Sequence, residues 1–233
     1  MPKKIAISQS NYIPWKGYFD FIAGVDEFVL YDDVQYTKRD WRNRNRIKTP
    51  QGLKWLTIPV KGGHSQLINE VEVADANWNE KHWRTISHMY NKAPQFDVYA
   101  EVIEHLFLNA EMHLLSEINH HFLVGMNKLL GIGTPMSWST DYFSKGDKSE
   151  RLISICKHAN ADVYVTGPAA KAYLDVDLFN HEGIAVEWMN YDGYEEYPQL
   201  YGDFEHAVTI LDLLFNTGLD ARYYLKSTEK IGK

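Results

Sequence analysis

One stretch constrains the fold more than any other: "KIAISQSNYIPWKGYFDFIAGVDEFVLYDD", Lys4 to Asp33. Ile5 to Ser8 is a short apolar run and reads as a buried strand. Pro14 suits a first helical turn, because its missing N–H would have no partner there. Trp15, Tyr18, Phe19, Ile22 and Val25 then recur at helical spacing, and Glu27 to Asp33 makes a second strand that ends in two carboxylates. Strand, Gly-containing turn, helix and strand in so short a span make a βαβ unit, which implies a parallel sheet.

The rest of the chain extends that pattern. "RIKTPQGLKWLTIPV" reads as a hairpin turning at Pro50-Gln51-Gly52, "KGGHSQ" as a loop and "LINEVEVAD" as a further strand. Helices are predicted over Asn77 to Tyr90 and Glu101 to Leu130, the second interrupted near Asn109. "GIGTPMSWST" is a loop and strand, "KSERLISICKHAN" an amphipathic helix, "ADVYVTG" a strand, "AAKAYLDVDLFNHEG" helical and "IAVEWMN" a strand. "FEHAVTILDLLFNTG" is a last helix that stops at Gly218. The expected architecture is α/β: a Rossmann-like parallel sheet with a helical middle section. One domain over 1–226, with the helical insertion at about 77–130 and a flexible tail at 227–233, accounts for the chain.

Composition narrows the function classes. The chain has 233 residues, is 45% hydrophobic and 14% aromatic, and so has the material for a full core. A formal charge of −7 argues against nonspecific nucleic-acid binding. A single cysteine, Cys156, rules out an intramolecular disulfide and a Cys-based zinc site, and fits a cytoplasmic setting. The first residues lack the apolar stretch of a secretory signal. No run approaches the ~18 apolar residues of a membrane span. The ten histidines show no HExxH spacing, and the pattern assigns neither a metal nor a cofactor.

The candidate site is the carboxyl edge of the parallel sheet, where α/β proteins bind ligands. Gln9 and Asn11 are expected to hold a ligand, since a buried amide needs partners. Gly17 is expected to admit a ligand's polar group at the start of the helix, where free N–H groups gather. Arg42, Arg44 and Arg46 alternate with Asn43 and Asn45, so one strand face carries Arg and the other Asn. Their planar donors suit phosphate or carboxylate, and a nucleotide or nucleotide-sugar fits that pattern. Asp32 is the candidate general base, with Asp33 beside it, and His64 in the "KGGHSQ" loop is a second proton-moving candidate. "VTGPAAKAYLD" repeats the opening architecture and would bring Lys171, Tyr173 and Asp175 to the same edge. The Tyr-rich "YDGYEEYPQLYGDF" suits stacking on a sugar or base, or a homodimer contact.

"ISQSNYIPWKGYFDFI", "DEFVLYDDVQYTKRDWRNRNRIK", "GLKWLTIPV", "ADVYVTGPAAKAYLD" and "TILDLLFNTG" together resemble the WbqC-like protein family, in order and over nearly the whole chain. That family is associated with polysaccharide and O-antigen gene clusters. The resemblance therefore implies an enzyme of surface polysaccharide (O-antigen or lipopolysaccharide) biosynthesis, a group transferase on a nucleotide-linked amino or deoxy sugar. The alternative it implies is a noncatalytic nucleotide-sugar-binding or partner protein of the same pathway. Where family members often carry His-Gln-Pro, this chain has Ser8-Gln9-Ser10, so no role for that His or Pro carries over. A looser likeness is to nucleotidylyltransferases with a His-x-Gly-His turn. Pro14 to Tyr18 occupies the place of that turn without its histidines, and Lys145, Lys148, Ser149 and Arg151 stand where a second phosphate loop would be.

Overall fold

The computed structural model describes residues 1–61 and 65–227. Five parallel strands form its central sheet: β1 (Lys4–Ser8), β2 (Glu27–Leu30), β5 (Met136–Trp138), β6 (Val163–Thr166) and β7 (Ala185–Trp188). Their order is β5-β2-β1-β6-β7, with Ile5 opposite Glu27 on one side of β1 and opposite Tyr164 on the other. The chain thus builds outward from β1 first to β2 and β5, then to β6 and β7. The reversal of direction at β1 is a topological switch point, where a crevice opens at the carboxyl ends of the strands.

Period-two alternation divides the strands between two cores. Ala6, Phe28, Leu30, Val163 and Val165 face one core, and Ile5, Ile7, Val29 and Tyr164 the other. The first core receives Tyr18, Phe19, Phe21 and Ile22 of α1 (Lys16–Ala23). The second receives Leu152, Ile153, Ile155 and Cys156 of α5 (Lys148–His158) and Phe179 of α6 (Val176–His181). Both faces are covered, which is why the central strands read as continuous apolar runs rather than as alternation.

The hairpin β3 (Arg44–Thr49) and β4 (Gly52–Thr57) forms a separate two-stranded antiparallel sheet. The helical middle section is α2 (Trp78–Tyr90), α3 (Phe96–Leu108) and α4 (Leu115–Leu130), joined in the first core by α7 (Ile210–Thr217). Buried Asp212 of α7 accepts hydrogen bonds from the phenols of Tyr90 and Tyr197, both at 2.8 Å.

Three elements differ from the sequence reading. The first helix begins at Lys16, not Pro14, because Trp15 is extended (φ −75, ψ 167) and stands as the residue before the first helical turn. "LINEVEVAD" is not a strand. Ile68 and Asn69 donate their N–H groups to Val34 and Asp32 carbonyls (both 2.9 Å), which draws Ile68–Glu70 into a 3-10 turn. The last helix begins at Ile210, where the Thr209 side chain caps the N–H of Leu211.

Two of the four tyrosines of the Tyr-rich segment are turned inward. The phenol of Tyr194 donates to Asp20 at 2.5 Å, and Tyr194 and Tyr197 are both buried. With Phe204 and Tyr224 they surround the ammonium of buried Lys16, which lies 5.0–5.8 Å from the four ring centres. Its Nζ donates to the Glu195 carbonyl at 2.5 Å. Burial pushes the Lys16 amine down to about 8, against the raising pull of Glu195 and Glu196. This caged lysine fastens residues 194–224 to α1.

Candidate functional site

A cleft of about 830 Å³ lies at the carboxyl ends of β1, β2 and β6. Gln9, Asn11 and Arg42 form one wall, and the turn Gly167–Ala170 after β6 another. Lys148, the first residue of α5, also lines it. Aromatic surface comes from Trp15, Tyr31, Trp41, Tyr173 and Tyr191. Burial raises the phenols of Tyr31 and Tyr173, and pushes that of Tyr191 up to about 12 with Asp20 adding to the shift. These three hydroxyls are therefore protonated at neutral pH and available as donors. No carboxylate, histidine or cysteine lines the cleft among the described residues.

A set of long-range hydrogen bonds shapes the opening turn. Asn45 Nδ2 donates to the carbonyls of Tyr12 (3.1 Å) and Ile13 (2.7 Å), which holds the left-handed turn at Ile13. A β-branched residue at positive φ is strained and persists only where its surroundings over-determine it. The N–H of Tyr12 donates to the Trp41 carbonyl at 3.0 Å. Arg42 donates to Asn11 Oδ1 and to the Ser10 carbonyl, and Asn119 Nδ2 donates at 2.9 Å to both Ser10 Oγ and the Arg42 carbonyl. The Arg/Asn alternation is as expected: Asn43 and Asn45 are buried, while Arg42, Arg44 and Arg46 are half-buried on the opposite face.

Of the candidate residues, Gln9, Asn11, Arg42 and Tyr173 line the cleft. Asp32 does not. It is 1% exposed, its Oδ1 accepts from the Ser10 N–H at 2.8 Å, and its Oδ2 accepts from the Ser116 hydroxyl. Burial raises its pKa against those two hydrogen bonds. Asp32 therefore braces the turn from inside and is not placed to take a proton from a ligand in the cleft. Gly17 also does not open onto the cleft. A Cβ there would lie 2.2 Å from Cζ2 of Trp15, so the glycine makes room for that indole. Arg44 and Arg46 stack beyond the cleft, 4.2 and 5.6 Å from the ring of Trp55. Lys171 is exposed and lies over Trp188 at 5.4 Å. His64 lies outside the described residues.

Lys148, which the sequence reading sets where a second phosphate loop would be, had that likeness as its signal and lines the cleft. Trp15 had none, because an aromatic at helical spacing reads as core; its ring packs on Tyr191 and Tyr194, each at 5.5 Å. Beside the cleft, Asp33 is the more exposed of the two strand-end carboxylates. It pairs with Arg151 and accepts from the Ser139 hydroxyl at 2.5 Å, and the Arg151 guanidinium lies over Tyr31 at 5.0 Å. No three His, Cys, Asp or Glu side chains come together to hold a metal ion among the described residues.

A model of the WbqC-like protein family matches residues 9–224, which takes in all of the cleft wall from Gln9 to Tyr191. The chain belongs to the WbqC-like protein family. It is also 50% identical over 226 residues to a protein of Mycobacterium tuberculosis named "Uncharacterized protein Rv1507c", a match covering 96% of this chain and 98% of the relative. No solved structure matches. In this WbqC-like protein no helix among the described residues is long and apolar enough to cross a membrane.

Proposed function

We propose that this WbqC-like protein binds a nucleotide-linked sugar in the cleft and acts as a group transferase on it, in the making of a surface polysaccharide such as O-antigen or lipopolysaccharide. The observation that carries the reading is the charge of the cleft. Its wall holds two cationic side chains, Arg42 and Lys148, and no carboxylate among the described residues. Such a wall favours a ligand with a diphosphate; the Arg42 guanidinium, which lies 3.6 Å from the Asp40 carboxylate and donates to Asn11 and Ser10, would present its remaining N–H groups to phosphate oxygens. Tyr173 and Tyr191 supply aromatic faces for a base or sugar. The two cations would hold the diphosphate, and so keep the sugar in place, while the group is transferred. His64, outside the described residues, is kept as the group that moves a proton.

One observation favours a second reading, a noncatalytic nucleotide-sugar-binding protein. The described cleft wall has no acid–base group near neutrality, since its phenols are held protonated. The two readings separate in sequence. Thermal shift against a panel of UDP-, GDP-, CDP- and dTDP-linked sugars comes first. Ligand at a hundredfold excess over Kd adds about 2.7 kcal/mol, a rise of roughly 5–10 °C for a chain of this length. Incubation of the best binder with the protein follows, read by mass spectrometry. A panel with no stabilising member overturns the proposal. Binding without turnover leaves the second reading in place.

A further inference from the structure

A second, smaller cavity of about 240 Å³ adjoins the cleft and shares Asn11, Trp15 and Trp41 with it. Its remaining wall is Pro14, Asn45 and Ala207. The surface is almost wholly apolar, with two indoles facing a proline and an alanine. Its two amides are largely committed. Asn45 donates through Nδ2 to the Tyr12 and Ile13 carbonyls and accepts the Arg46 N–H at 2.8 Å on Oδ1. Asn11 Oδ1 accepts from Arg42. Asn11 Nδ2 has no hydrogen-bond partner among the described residues, and Asn11 stands in the wall common to both spaces.

We propose that this cavity is a subsite for a short acyl group, with its carbonyl at Asn11 and its alkyl chain between Trp15 and Trp41. The chemistry of the wall decides the class. A sugar ring carries several hydroxyls, and each one buried here without a partner would be penalised. Asn11 Nδ2 is the one uncommitted amide donor in the wall, and a single ester or amide carbonyl needs no more. A cavity of about 150 Å³ lined by apolar side chains accepts benzene, so this one takes roughly six to eight carbons. That the acyl group is a substituent of the nucleotide-linked sugar, or a second substrate meeting it, rests on the reading above. The subsite itself does not.

The test uses the whole protein and saturation-transfer NMR with three probes: hexanamide, acetamide and methyl α-D-glucopyranoside. Hexanamide is expected to give a clear signal and acetamide and the glucoside much weaker ones. Ala207→Leu places a branched chain inside the cavity and is expected to weaken the hexanamide signal several-fold at unchanged melting temperature. Should that variant melt early, Trp41→Ala removes one wall at a partly exposed site and is expected to have the same effect on hexanamide. No hexanamide signal, an equal signal from the glucoside, or a signal that both variants retain in full would overturn the proposal. UDP-glucose, titrated in parallel, carries no acyl group and reads the large cleft. Its failure to bind would weigh against the nucleotide-sugar reading and leave the hexanamide result standing.

Discussion

Replacing Gly17 by Ala sets helix propensity against packing. In an exposed helix the change would add up to about 1 kcal/mol of stability. Here the new methyl would lie 2.2 Å from Cζ2 and 2.6 Å from Cε2 of Trp15, where ordinary contacts begin near 3.4 Å. The indole must move by more than 1 Å. Its contacts with Tyr191 and Tyr194, both at 5.5 Å between ring centres, would be disrupted. Aromatic pairs contribute roughly 0.5–1.5 kcal/mol each beyond burial, so two of them match or outweigh the propensity gain. The expected net loss is up to about 2 kcal/mol, or a melting temperature lower by up to ~8 °C. Because Trp15 lines both cavities, the displaced ring would also narrow the cleft. Urea unfolding gives the stability, and near-ultraviolet circular dichroism reports the packing of Trp15. A variant more stable than the parent, with an unaltered aromatic spectrum, would refute the reasoning.

Three further outcomes are expected. Arg42→Ala should weaken binding of a nucleotide-linked sugar by about 1.5–3 kcal/mol, and Arg44→Ala should change it by less than ~0.5 kcal/mol, by isothermal titration; the reverse ranking would return the anion site to the hairpin. Asp32→Asn should cost about 1–3 kcal/mol in urea unfolding, because the two donors from Ser10 and Ser116 then meet one acceptor oxygen, while affinity per folded molecule persists; lost affinity at full stability would restore Asp32 to the site. For Lys16, burial lowers the amine from 10.5 to about 8, with Glu195 and Glu196 opposing and His206 also near. Between those values the unfolded chain binds the proton and the folded one does not, so the parent's stability relative to Lys16→Met should rise with pH from about 8 to 10.5, by up to ~3 kcal/mol. Parallel stability–pH curves for the two proteins would show that the four rings stabilise the ammonium fully.

The parallel sheet was legible because its signals are local. Two apolar runs flank a Pro-marked helix start, and the pairing of Ile5 with Glu27 follows. The Arg/Asn alternation was equally legible, since a strand's period of two separates the faces whatever the tertiary context. The roles of the residues at the sheet edge were not. A carboxylate at a strand end reads the same whether it faces a ligand or the core. What turns Asp32 inward is Ser116, and what holds Asp33 outward is Arg151; both partners are distant in sequence. Gly17 misled for a similar reason, because its neighbour's indole occupies the space a ligand was expected to take. Lys171 and Lys148 were indistinguishable by type, and only the placement of α5 puts Lys148 at the cleft.

The central claim is that the carboxyl edge of β1, β2 and β6 holds the ligand. Hydrogen–deuterium exchange, with and without a saturating nucleotide-linked sugar from the thermal-shift panel, tests it most directly. The account predicts ligand-dependent protection of the segments after those strands, 9–12, 31–35 and 167–173, together with the first turn of α5 at Lys148. Protection confined to the β3–β4 hairpin, or to the helical middle section, would contradict it.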